Sequence, residues 1–416
     1  MEGGPGDMEL DRRRVMELVF RLIERKYVFA DTAARVVSLL RARVDAGAYD
    51  GFSSPTAFAE AVTSDLQAVA GDTHLRLVHD PDRITRMRSS APGGGIADLA
   101  KFHNDGFARV EALKGGIGWV DIRHFFAPEI ARDTAAAAMR FIAGCDAVIV
   151  DLRNNTGGNP GMVQFLCSYF FPREPRVHLN TITSRVDKTT TEYWTLEDLP
   201  GPRMSDAALY VLTSAHTFSG GEEFAYNMAS LRRGILIGET TAGGANLAGV
   251  DVLDDNFYIA IPHAASINPI TGTNWEGAGV APGIKVPADR ALETAHLAAL
   301  KGRIAKTRDR VARTKLEWLL EEVESSYHPR PTASKAIACF PGTYGDTEVA
   351  PHDGGLILRR QFFTFRLVPL SETRFWLDGP AAGFEGRIDF LPGEAGSASA
   401  ICSRFPDGRE VTREIA

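Results

Sequence analysis

The feature that most constrains this chain is an apolar run that ends abruptly in charge. Residues 147–153, AVIVDLR, are apolar up to Asp151 and Arg153. A strand buried on both faces reads this way, and such strands belong to parallel sheets covered by helices. The pattern recurs. A helix-like stretch at 160–170 is followed by an apolar run at 209–213, a helix-like stretch at 220–232 and the run GILIGE at 234–239. Strand and helix alternate, so the expected class is α/β, a mostly parallel sheet flanked by helices. Ahead of this layer, FARVEAL and GIGWVDIRHF read as strands separated by Lys114-Gly115-Gly116, and 128–143 reads as a helix.

The flanks read differently. Residues 9–69 read as helices, with Val15, Leu18, Val19, Leu22 and Ile23 on one helix face. A further helix begins at Ser54 with Pro55 at its first position. The polar, Gly-rich stretch 86–106 reads as a loop. Residues 289–327 are helical and charge-rich, and beyond about 335 come short alternating strands with turn signals Asp353-Gly354 and Asp407-Gly408. The expected division is an N-terminal helical domain over 1–85, an α/β core over 86–295, a helical connector over 296–330 and a small antiparallel β module over 331–416.

Charge and cysteine usage remove several classes. A net charge of −7 lacks the basic balance of a nucleic-acid protein. The four cysteines form no C-x-x-C and suggest neither a zinc site nor a disulfide framework. The glycine pairs 157–158 and 243–244 are not a dinucleotide fingerprint, so neither cofactor nor metal is expected. No apolar run is long enough to span a bilayer. The start, MEGGPGDMELDRRR, lacks the apolar core of a signal peptide, so the chain as given reads as cytoplasmic, or as secreted or periplasmic if a leader was removed.

TSAHTFSGGEEFAYNM, residues 213–228, carries the functional question. Ser219-x-x-Glu222 before an apolar helical run is a capping box. A serine at a strand-to-helix turn also lies at the carboxyl edge of the sheet, where ligands bind in open α/β folds. The helix N-terminus favours a developing oxyanion there, and Gly220 and Gly221 let a substrate backbone come close. Both readings stand, and a nucleophilic serine still needs a base.

Several motifs in order resemble the tail-specific (C-terminal processing) serine proteases: AVIVDLRNNTGGNPGMV, TSAHTFSGGEEFAYNM, GILIGETTAGGANL and INPITGTNWEGAGVAPGIKVP. With NDGFARVEALKGGIGWVDIRHF they look most like the branch of the interphotoreceptor retinoid-binding protein repeats and the tricorn protease core. The resemblance covers roughly residues 10–290 and implies a ClpP/crotonase-like core. There are two departures. Thr240 stands where the dyad enzymes carry their lysine, and about 40 residues between His74 and GIGWV leave no room for a PDZ domain. The tricorn-like branch implies another set: Ser219 as nucleophile, His74 as base, Glu276 as its orienting acid and Thr73 as the neighbouring hydroxyl. The oxyanion donors implied are the amide of Gly220 and one from the NNTGG turn, at Gly157, with Gly158 beside it in the oxyanion and substrate-binding set. Each also has a plainer role, as cap, turn or surface residue. His216 and His263, the latter in a loop-like stretch, compete as bases. Asp151 and Arg153 read as supports of the glycine turn, Glu222 and Glu223 as helix-start charges, and Glu239 as support. The chain is thus expected to be a serine-type peptidase acting on a peptide or protein. The alternatives are a non-catalytic carrier of apolar ligands and a hydrolase of small non-peptide esters or amides.

Overall fold

A computed structural model describes residues 11–89, 94–379, 386–394 and 397–416. The chain divides into two compact units, Met1–Leu292 and Glu293–Ala416.

The first unit opens with three helices, α1 (Arg12–Lys26), α2 (Ala30–Asp45) and α3 (Pro55–Ala70). The Asp11 side chain caps α1 by accepting from the Arg14 amide. Ser54 does the same for α3 through the Ala57 amide, with Pro55 at the first position and Gly71 ending the helix in the left-handed region. The buried face of α1 is Val15, Met16, Val19, Phe20 and Ile23, while Leu18 and Leu22 are half-buried. The larger Phe20 takes the inner position, which rotates the stripe from the one expected. These helices do not close a core on themselves. Phe58, Val62 and Leu66 pack with Leu75 and Leu77, and with Phe257, Ile259 and Ile261 from far along the chain.

After them come β1 (Arg76–His79), α4 (Pro81–Ser89), α5 (Gly94–Phe102), β2 (Phe107–Leu113) and β3 (Ile117–Ile122). The expected loop at 86–106 therefore holds helix at both ends, with 90–93 outside the described residues. Next are α6 (Pro128–Ile142), β4 (Ala147–Asp151), α7 (Pro160–Ser168), β5 (His178–Ser184), β6 (Thr189–Trp194), β7 (Ala208–Thr213), α8 (Gly220–Ser230) and β8 (Ile235–Gly238). The unit continues with β9 (Leu247–Val252), β10 (Phe257–Ile267) and β11 (Ile284–Lys285). Six strands form the expected layer in the order β11-β8-β7-β4-β3-β2. Its neighbours pair in parallel except β2 with β3. β3 and β4 are buried at every position, as continuous apolar runs require.

A second sheet was not expected. β1, β10, β5 and β6 lie side by side with β9 also on β10, all antiparallel. β6 and β9 are Thr-rich or alternate in burial, as in TTTEYW and LAGVDV, so no continuous apolar run marks them, whereas β10 opens on the buried run FYIAIP. β1 pairs with β10 from Arg76↔Ala260 to His79↔Phe257, which draws the segment just after His74 onto this sheet.

The second unit holds α10 (Arg310–Tyr327) and α11 (Ser334–Cys339), following α9 (Ala291–Lys306), and eight strands, β12 (Gly342–Tyr344) through β19 (Glu410–Glu414). They run antiparallel in sequence order, and Tyr344 also bridges Ile415, so the sheet nearly closes into a barrel. Tyr344, Phe365, Phe375 and Phe390 fill it. Phe362, at a hairpin turn, is exposed. No helix among the described residues is long and apolar enough to cross a membrane.

Candidate active site

Ser219 stands where the sequence places it, between β7 and α8. The turn before it is pinned to the neighbouring strand end. Thr217 Oγ1 donates to the Leu152 carbonyl at 2.7 Å, the Phe218 amide to the Asn155 carbonyl at 3.0 Å, and Ser214 Oγ to the Arg153 carbonyl. This bracing holds Ser219 at φ 53°, ψ −117°. An L-residue there stores strain of roughly 1–3 kcal/mol, which persists only where the surroundings over-determine it.

The capping box is present. Its glutamate does more than cap. Glu222, fully buried, accepts from the Ser219 amide (2.8 Å), Thr241 Oγ1 (2.6 Å), the Gly243 amide (2.6 Å) and the Gly244 amide (2.8 Å). One carboxylate thus ties the serine turn to the 241–244 loop. Burial raises its pKa against the pull of these donors.

The glycine turn presses against the serine. A Cβ on Gly157 would lie 2.7 Å from Ser219 Cβ, and one on Gly158 would lie 2.1 Å from the Phe125 carbonyl oxygen. Of the expected oxyanion donors, Gly157 is corrected: its amide donates to Asn155 Oδ1 at 2.8 Å. The amides of Gly158 and Gly220 have no partner among the described residues. They are neighbours, since a Cβ on Gly220 would sit 3.2 Å from the Gly158 nitrogen. Asn155 is completely buried and also donates to the Ile122 carbonyl at 3.0 Å. It fixes this turn, a role not read from its place in RNNTGG. Asp151 and Arg153 brace the same strand end through a bidentate pair at 2.9 and 2.6 Å, with Arg153 reaching the Ala288 carbonyl. Glu239 accepts from the Ala215 and Ala288 amides.

His74 lies between Gly71 and β1. Its ring packs on the Phe218 ring, centroids 4.5 Å apart. A Cβ on Gly244 would lie 2.6 Å from His74 Cε1 and 2.3 Å from Phe218 Cε2, so only glycine admits this contact. Glu276 reaches the same place from the loop after β10. Its Oε2 accepts from the Ala245 (2.6 Å) and Asn246 (2.9 Å) amides. Its Oε1 and His74 Nδ1 are both buried without a hydrogen-bond partner. Asp72, His74 and Glu276 offer polar atoms all within 4.8 Å of one another. Burial, then the charge of Asp72, raises Glu276 to about 7, opposed by the amides of Ala245, Asn246 and Thr73. Burial, then Arg76, lowers His74 to about 4. In the resting state the imidazole is neutral, as a base must be.

Thr73 contributes through its amide; its hydroxyl makes no hydrogen bond among the described residues. No hydrogen bond joins His74 to Ser219. His74 packs against Phe218, the residue before Ser219, and against Gly244. His216 is exposed, and His263 lies within β10 rather than in a loop. Thr240 is exposed. The Asp72–His74–Glu276 group could hold a cation. However, zinc bonded at about 2.0–2.2 Å wants ligand atoms closer than the 3.9 Å between His74 Nδ1 and Asp72 Oδ1. Asp72 also spends its oxygens on Tyr27, His74 and Asn246.

Residues 116–286 match peptidase family S41, and residues 9–103 match the N-terminal domain of Peptidase_S41 in eukaryotic IRBP. Among solved structures, a putative peptidase from Parabacteroides merdae is similar at 16% identity and a TM-score of 0.50, over 69% of this chain and 96% of its own. A lipoprotein from Streptococcus agalactiae gives 15% identity and a TM-score of 0.48, over 73% of this chain and 99% of its own. The photosystem II D1 C-terminal processing protease gives 17% and 0.43, over 67% and 94%. The first of these likenesses shows a shared fold.

Proposed function

We propose that this chain, a serine-type peptidase carrying the family S41 domain, cleaves peptide bonds with Ser219 as nucleophile, His74 as base and Glu276 as the acid that orients the base. The observation that carries this reading is the pair of buried, partnerless atoms, His74 Nδ1 and Glu276 Oε1, in one niche. Each such atom costs about 1–3 kcal/mol when left unbonded. Two of them in one niche mark a bond completed along the reaction path, because hydrogen bonds of resting active sites tighten in the substrate complex.

Ser219 Oγ attacks the peptide carbonyl carbon. Its proton passes to His74 Nε2, since the Nδ1 edge faces the acids. The imidazolium Nδ1–H then donates a hydrogen bond to Glu276 Oε1, which stabilises the cation without taking its proton. The carbonyl oxygen becomes an oxyanion received by the Gly220 and Gly158 amides at the N-terminus of α8. His74 returns the proton to the leaving amine, and water then hydrolyses the acyl-serine by the same route. We assign this chemistry to the core over 86–295, with the base contributed from the helical region ahead of it, and leave the β module over 331–416 outside it. The substrate is a peptide or protein segment laid against the 157–158 turn.

A fluorophosphonate reagent followed by peptide mapping tests the reading. Ser219 is the expected site of labelling, and His74→Gln and Glu276→Gln should each slow it severely while His216→Gln does not. Labelling elsewhere, or an inert His216→Gln protein beside an active His74→Gln protein, overturns the assignment.

A further inference from the structure

We propose that Asp72 is a second acid of the His74 niche, a positioning residue that fixes the base through its main chain and sets a negative charge beside Nδ1. This rests on His74 being the base. Asp72 is 1% exposed. Its Oδ1 accepts from the His74 amide at 3.0 Å, and its Oδ2 from Asn246 Nδ2 at 2.9 Å and from the Tyr27 hydroxyl at 3.2 Å. A carboxylate this deep stays charged only where donors replace its water. These donors come from three separate stretches: the end of α1, the His74 turn itself and the 245–246 loop.

Asn246 makes the arrangement specific. Its side chain holds Asp72 and its amide holds Glu276, so one residue sets the spacing of the two acids. The acids then differ in what they can do. Glu276 keeps Oε1 unbonded and can accept a hydrogen bond from the imidazolium Nδ1–H. Asp72 has a donor on each oxygen and lies 3.9 Å from Nδ1, too far for a hydrogen bond and close enough for its charge to act. The other titratable or charged groups facing the niche are Tyr27, Arg35 from α2, whose charge reaches Tyr27, and Arg76 from β1. Arg76 opposes a proton on His74. Asp72 offsets it. The two carboxylates and the imidazole titrate as a set. Removing one negative charge therefore lowers the proton affinity of the whole niche, whichever member holds the proton.

Asp72→Asn keeps the size and removes the charge. The expected result is a fall of about tenfold or more in the rate at which the reagent acylates Ser219. The acidic limb of that rate should also move to lower pH, by between about 0.7 unit, which one charge near 4 Å gives at the screening of bulk water, and about 3 units, which it gives at an effective dielectric of about 20. For a peptide substrate kcat should carry the loss and KM should stay within about twofold. The double variant Asp72→Asn/Asn246→Asp restores the donor–acceptor match and returns a carboxylate to the niche. It should fold as the wild type does and recover most of the rate and of the limb, and a folded double variant that is slow with a displaced limb would overturn the charge argument even if the single variant fails to fold. An unchanged limb and rate in folded Asp72→Asn would leave Asp72 a structural residue and overturn the proposal. A wild-type limb that survives His74→Gln would instead overturn the reading of the base, and with it this one.

Discussion

Ser219→Gly should leave the protein at least as stable as Ser219→Ala while both are inactive. At φ 53°, ψ −117°, Ser219 occupies a region open to glycine and closed to ordinary L-residues. Alanine keeps the Cβ and hence the strain, and it removes the cap hydroxyl, a loss of about 0.5–2 kcal/mol. Glycine releases strain of roughly 1–3 kcal/mol. Against this, it adds unfolded-state freedom that costs about 0.4–1 kcal/mol, and as a cap it gives up only a few tenths. Glycine also removes the atom against which Gly157 packs, a contact too small to reverse the order. The glycine variant should therefore exceed the alanine variant by about 1–2 kcal/mol. Urea midpoints of the two, followed by tryptophan fluorescence under conditions of reversible unfolding, give the comparison directly. If alanine proves the more stable, Ser219 is not strained and the bracing by Thr217 and Phe218 holds nothing under tension.

Glu222→Gln replaces a buried carboxylate that accepts from four donors with an amide that meets some of them donor to donor; it should cost about 2–4 kcal/mol in denaturant melts and most of the turnover. Gly157→Ala should abolish Ser219 labelling, because the new methyl lands on Ser219 Cβ at a residue with φ 92°; circular dichroism should still show a folded chain. Glu223 is buried, and burial raises its pKa to about 7. A carboxyl raised on folding contributes stability that is present below its unfolded pKa, near 4.5, and is lost as pH rises through 7. Glu223→Gln should flatten the fall in urea midpoint between pH 5 and 8, and an equally steep fall in the variant would refute this.

The parallel layer was legible because its central strands β4 and β7 are unbroken apolar runs closed by a polar residue, at Asp151 and Thr213. The antiparallel sheet was not, because β6 spells TTTEYW and β9 alternates, and neither stands out from a polar loop. The site was legible in its parts: Ser219 from the strand–helix junction and the capping box, His74 and Glu276 only through the ordered motifs of a family. What escaped was the hydrogen bonding that decides which parts are free. Gly157 and Gly158 are indistinguishable in NNTGG, and only the Asn155 side chain, folded back onto one amide, leaves the other open. Glu222 read as a helix-start charge because its partners at 241–244 are remote until β8 returns the chain. Asp72 was not singled out for the same reason, its donors Tyr27 and Asn246 being remote in the chain.

The core that holds the His74 turn is shared between residues near the start of the chain and Phe257, Ile259 and Ile261. That sharing sets an order in time. A chain emerging from the ribosome presents Ser219 and its glycine turn before β10 exists, and the acid at 276 comes later still. Contacts so distant in sequence form late, after the intervening chain is made. Until then Glu276 is missing from the niche that holds His74. On the assignment proposed above, the site is complete only in the step that completes the first unit.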